Sequence, residues 1–105
     1  MRSAGLNSEM SENCGNLPRE LAKLRNKIDA IDSQILILLR DRLREADKIG
    51  ALKKKYCLKA EDLVREQYLY SRLEGLAQEL DLESGFVRSL FETIISETKR
   101  RQRTV

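Results

Sequence analysis

Residues 35–55, ILILLRDRLREADKIGALKKK, decide how this chain is read. Apolar residues recur every three or four positions, which is the period of an α-helix. The stripe should continue after Leu38, yet Arg42 stands there, and Lys53 sits beside the same stripe eleven residues later. At about 100° per residue, positions eleven apart differ by only about 20° in direction and lie about 16 Å apart along the axis. A single long basic chain at the edge of an apolar stripe commonly snorkels out to water. Two in phase, with Glu45 also intruding, raise a second reading, in which the helix carries a polar pocket on the face it would otherwise bury.

Upstream, Leu17, Leu21, Leu24, Ile28, Ile31, Ile35 and Leu38 follow at alternating spacings of four and three, an a/d-type seam. Pro18, the only proline, suits a first helical turn. The seam resumes at Ile49, Leu52 and Tyr56, with Gly50 the one weak helix former between. The pattern predicts a helix of about 38 residues, roughly 57 Å long. A compact domain of this size has a radius of gyration of only about 13 Å. Such a helix asks for a partner, most simply a second copy of itself.

CLKAED (57–62) breaks the pattern, and a second helix is expected over about 61–80. Its inner side would carry Leu63, Tyr68 or Leu69, Leu73, Leu76 and Leu80, with Glu61 and Asp62 in the first turn, where the helix dipole favours them. After DLESG (81–85), in which Glu83 or Ser84 could cap, a third helix is expected over about 84–102. Phe86 or Val87, Leu90, Phe91, Ile94 and Ile95 would be its apolar residues. No strand-like alternation appears. The fold class is all-α: one very long N-terminal helix and two shorter ones per chain, intertwined as a homodimeric bundle. Residues 1–16, rich in Ser, Asn, Gly and Glu and without period, read as a disordered tail in which Met10 could be an alternative start. Residues 17–105 form the single domain.

Composition narrows the function. Twenty basic and 17 acidic residues give a net charge of +3, too near balance to argue for nucleic acid, and KRRQR (99–103) is the one concentrated patch. There is no histidine, and Cys14 and Cys57 are far apart, so neither zinc-finger spacing nor a Cys–His pair is available. Two plain thiols fit a reducing cytoplasm. The N-terminus lacks the apolar core of a signal peptide, and the longest apolar run, ILILL (35–39), is far short of a membrane span. A cytoplasmic, soluble protein with no metal, cofactor, membrane or nucleic-acid partner is expected.

The polar residues that need an explanation are Arg25, Arg42, Lys53, Arg65, Glu66, Thr98 and Gln102. Arg25 lies seventeen residues before Arg42, about 25 Å along the same rod and about 100° around it, so it could serve the same site only from another chain. Arg65–Glu66, and Thr98 with Gln102 at i, i+4, are unremarkable taken alone. Together the set holds fixed cations, one carboxylate and one neutral amide, with no activated nucleophile. It suits a small dianionic ligand gripped by guanidinium forks. Any catalysis would work by orientation and electrostatics.

These residues resemble a known family. LAKLRNKIDAIDSQILILLRDR (21–42) looks like the opening of the all-helical (AroQ-type) chorismate mutases, with a leucine–arginine pair, an Ile-Asp-x-Ile/Leu-Asp segment and a Leu-Leu-x-x-Arg. The likeness continues through GALKKK (50–55), EDLVREQYLYSRL (61–73) and LFETIISETKRRQ (90–102), covering about residues 17–103. It implies the Claisen rearrangement of chorismate to prephenate, in phenylalanine and tyrosine biosynthesis, by a monofunctional homodimer with shared sites. It further implies that Arg25 of the partner subunit and Arg42 hold the substrate carboxylates. Lys53 and Gln102 donate to the ether oxygen from opposite sides. Glu66 accepts from the ring hydroxyl, with Asp62 near it and Arg65 in support. Thr98 stands where many members have serine, and Lys99 where some carry an apolar residue. On this resemblance Arg42, Lys53, Glu66 and Gln102 are the catalytic set.

Two rival readings remain at this level. An isochorismate-pyruvate lyase would share the fold and a related cationic pocket, although Glu66 and the full-length connection after Lys53 favour the mutase. A non-enzymatic helical dimer could bind protein or nucleic acid through KRRQR, with a steep salt dependence and no turnover.

Overall fold

A computed structural model describes residues 17–104 as three α-helices: α1 (Leu17–Lys55), α2 (Leu63–Glu79) and α3 (Ser84–Thr104). No strand occurs among the described residues. The expected tail, with Met10 and Cys14, lies outside them. The 39 residues of α1 are uninterrupted at Gly50, with Pro18 and Glu20 in the first turn and Lys53, Lys54 and Lys55 in the last, as the helix dipole favours.

Both α1 and α2 stop in the same way. Cys57 takes a left-handed φ of 56°, its N–H donates to the Lys54 carbonyl (3.2 Å), and the Leu58 N–H donates to that of Lys53 (2.7 Å). Asp81, at φ 59°, repeats the pattern, with its N–H on Gln78 (3.3 Å) and the Leu82 N–H on Ala77 (2.8 Å). This is the Schellman arrangement, which satisfies the last carbonyls of a helix. Aspartate tolerates the left-handed conformation that it requires.

The starts of α2 and α3 refine the expected boundaries. Asp62 is the N-cap of α2, its Oδ1 accepting the Arg65 N–H at 3.0 Å, so α2 begins at Leu63 and Glu61 lies outside it rather than in its first turn. Of the two candidate caps for α3, Glu83 takes the role: its Oε1 accepts the Phe86 N–H (3.2 Å) and its carbonyl the Val87 N–H (3.1 Å). The third helix runs to Thr104, two residues past the expected end.

The chain divides into two units, one through Leu39 and one from Arg40. In the first, residues 17–39 are a single helical stretch whose seam is uncovered. Leu17, Leu21, Leu24, Ile28, Ile31, Ile35 and Leu38 are 39 to 67% exposed. The second holds the core: Leu69, Leu73 and Ala77 of α2 against Val87 and Ile95 of α3, flanked by Tyr70 and Phe91. Both rows step by four residues, the ridge spacing by which helices interlock, and Ala77, only 1% exposed, lets the two approach closely. Arg88 staples them at the surface, stacked over Tyr70 (4.2 Å) and within 3.8 Å of Glu74. Leu69, not Tyr68, faces inward, and Val87, not Phe86. Leu63 and Leu80 are exposed against expectation because they stand at the two ends of α2, and Leu90 turns away from the Val87–Phe91–Ile95 row.

Candidate active site

Residues 40–55 of α1 meet the α2–α3 pair around a cavity of about 260 Å³. That is near the lower bound of about 300 Å³ for small-molecule pockets. Arg42, Lys53, Asp62, Arg65, Glu66, Thr98 and Gln102 all line it, with Ile49, Leu69 and Ile95 as its apolar wall. Seven of the eight residues singled out from the sequence thus converge on one space. The eighth, Arg25, is exposed in the first unit, and every lining residue falls between 42 and 102.

Each polar group is held by a neighbour that leaves part of its capacity open. The Lys53 ammonium donates to the Ala60 carbonyl at 2.7 Å, using one of three hydrogens. The Gln102 amide donates to the Ala46 carbonyl at 3.2 Å, using one of two. Thr98 Oγ1 donates to the Ile94 carbonyl (3.1 Å) and accepts a long bond from Arg42 Nη1 (3.5 Å). The Arg42 guanidinium also lies 5.7 Å from the centre of the Phe91 ring. Arg65 stacks over Tyr68 at 5.3 Å, and Asp62 spends one carboxylate oxygen on the α2 cap.

The electrostatics point to an anion. Burial, and then the nearby positive charge of Arg65, hold the Arg42 pKa below the usual guanidinium value. Arginine remains charged regardless. Two guanidiniums that repel each other in a partly desolvated cavity are relieved by a bound carboxylate. Glu45 offers no such relief: it lies on the rim and pairs outward with Lys48 at 2.9 Å, rather than intruding as its phase suggested.

Three features escaped the sequence reading. The Ala46 and Ala60 carbonyls leave no side-chain signal. Arg101 forks onto Asp47 with bonds of 2.6 and 3.2 Å, tying α3 to α1 beside the cavity. Lys99 reaches Glu66 (2.8 Å) and Glu61 (3.2 Å), a contact that its i, i+3 spacing from Gln102 could have suggested. With Arg100 on Glu97 at 2.7 Å, three of the four cations in KRRQR face carboxylates. Among the described residues no helix is long and apolar enough to cross a membrane, and no cluster of His, Cys, Asp and Glu could hold a metal.

The sequence pattern of the family described as "Chorismate mutase type II" matches residues 24–103. The chain is 31% identical over 84 residues to the chorismate mutase of Methanocaldococcus jannaschii, covering 80% of this chain and 85% of that one. It is 32% identical over 85 residues to the bifunctional chorismate mutase/prephenate dehydratase of Escherichia coli K12, covering 81% of this chain but 22% of that enzyme. The Shigella flexneri enzyme of the same name matches equally. By the match over residues 24–103 and the identity to the Methanocaldococcus jannaschii enzyme, this chain belongs to the type II chorismate mutases.

Proposed function

We propose that the cavity binds chorismate and rearranges it to prephenate. The observation that carries this reading is the convergence of Arg42, Lys53, Arg65, Glu66 and Gln102 on one space. The reaction breaks the ether C–O bond and forms a C–C bond in one pericyclic step, so it needs no base or nucleophile. It needs the flexible enolpyruvyl ether folded over the ring, and donors aimed at the oxygen as negative charge grows there. Arg42 grips a carboxylate and removes much of the entropic cost of folding. Lys53 and Gln102 direct their remaining hydrogens at the ether oxygen, a contribution of roughly 2.7–4 kcal/mol for a preorganised donor. The Ala60 and Ala46 carbonyls orient these donors beforehand. Glu66 accepts the ring hydroxyl, with Asp62 beside it and Arg65 in support.

The second substrate carboxylate is met by Arg25 of the partner subunit in a homodimer. The support is the uncovered seam over 17–38, a contiguous apolar face of the kind that marks an association surface. The deciding experiment follows the loss of chorismate absorbance with purified protein, with Arg42→Ala as the control. Turnover by the parent chain and its collapse in the variant is the expected result. Consumption of isochorismate with release of pyruvate, and none of chorismate, would overturn the assignment.

A further inference from the structure

We infer that Lys99 is a positioning residue for Glu66, holding one carboxylate oxygen so that the other is presented to the ring hydroxyl of the substrate. The inference rests on the chorismate reading of the same cavity. Lys99 and Glu66 both line that cavity, from α3 and α2 respectively. The Lys99 ammonium lies 2.8 Å from Glu66 Oε2, and their side chains are only 31% and 23% exposed. It also lies 3.2 Å from Glu61 Oε2, in the connection between α1 and α2. Three parts of the chain therefore meet at one nitrogen, whose pKa rises above the usual lysine value through these two bonds. A glutamate carboxylate on a freely rotating stem must be ordered before it can read a hydroxyl, and that ordering opposes binding. A charge-assisted bond to Oε2 selects the orientation in advance and leaves Oε1 to accept. An apolar residue at position 99 would leave Glu66 without this restraint.

The test is steady-state kinetics on the full-length chain, using chorismate and an analogue with hydrogen in place of the ring hydroxyl. Lys99→Met is expected to lower kcat/KM for chorismate about tenfold, mostly through KM, and to change it less than about twofold for the analogue. Lys99→Arg is expected to restore most of the discrimination. Should Lys99→Met fail to fold, as judged by circular dichroism, Lys99→Gln supplies a neutral side chain at the same place and carries the same expectation. Equal losses on both substrates would overturn the inference, because Lys99 would then act on the carboxylates or on the fold at large. So would an unchanged variant of an active parent. A parent with no turnover of chorismate would overturn the chorismate reading and this inference with it.

Discussion

One helix, α1, has two stretches with opposite circumstances. Over residues 17–39 it is apolar along one side and uncovered there. Over residues 40–55 it carries cations and a glycine, and it finds its partners within the chain: Arg42 on Thr98, Ala46 on Gln102 and Asp47 on Arg101. The difference teaches that apolar surface and polar surface need completing from different sources. A seam of isoleucines and leucines with nothing against it calls for another apolar face. Polar groups already held by neighbours, with hydrogens to spare, call for a ligand.

The largest effect expected from this contrast comes from charging the seam. Ile31→Asp places a carboxylate in the middle of the proposed dimer interface, at a cost of about 4 kcal/mol or more if it is buried unpaired. Sedimentation and circular dichroism should show loss of assembly together with loss of helix. A variant that keeps the parent's assembly and helicity would break the contrast, since the seam would then be ordinary surface.

A second experiment joins the two stretches. Arg25→Ala and Arg42→Ala chains should each be nearly inactive. A refolded equal mixture should regain about a quarter of the parent's activity, because half the dimers are mixed and each mixed dimer has one intact site of two. Activity that stays at the level of the separate variants would exclude a site shared between subunits.

Within the polar stretch, Gln102→Glu tests what the amide contributes. Gln donates at any pH, whereas Glu donates only when protonated. At neutral pH the variant should lose about 10²–10³ in kcat, the cost of one donor to a developing oxyanion. Activity should recover as pH falls toward the carboxyl's pKa. Two surface ion pairs bear on stability in this window. The pKa of Asp47, bonded to Arg101, and that of Glu97, bonded to Arg100, are both lowered. A depressed folded-state pKa gives stability that is full above the ordinary carboxylate range and is lost only as pH falls through the lower, folded value. A pH profile identical to the parent's would remove Gln102 from the ether oxygen.

Much of this architecture was legible because helical phase is a strong signal. The start of α1 at Leu17 and its end near Tyr56 followed from a three–four spacing that resumes in phase at Ile49, and the pairing of Arg42 with Lys53 from eleven residues making about three whole turns. The substrate was not legible in phase; it came with the family resemblance. What escaped were choices made by tertiary neighbours. Tyr68 and Leu69 are both large side chains at adjacent positions, and packing against α3 selects Leu69. Ala77, the most buried residue of the core, is too small to stand out in an apolar count. For Lys99 the resemblance marked the position, where some members carry an apolar residue, but gave no hint of its partners Glu61 and Glu66.

Gly50 offers the smallest effect, and it is one in which stability and activity should part. In mid-helix it costs about 1 kcal/mol relative to alanine, so Gly50→Ala would by propensity alone stabilise α1. A Cβ at that position, however, would lie 3.0 Å from Gln102 Cγ, inside normal contact distance. The three nearest atoms all belong to the side chain whose amide bonds Ala46. The glycine therefore makes room for the Gln102 stem. To relieve the contact Gln102 must shift by a few tenths of an ångström, which relaxes the helix at the expense of the aim of its amide. Gly50→Ala should leave the thermal midpoint unchanged or slightly raised while lowering kcat several-fold, because a donor displaced by a fraction of an ångström loses part of its transition-state bond. In a Gln102→Ala background the same substitution should cost almost nothing further. If Gly50→Ala instead lowers kcat as much there as in the parent, its effect does not pass through Gln102, and the glycine serves the helix itself rather than the pocket.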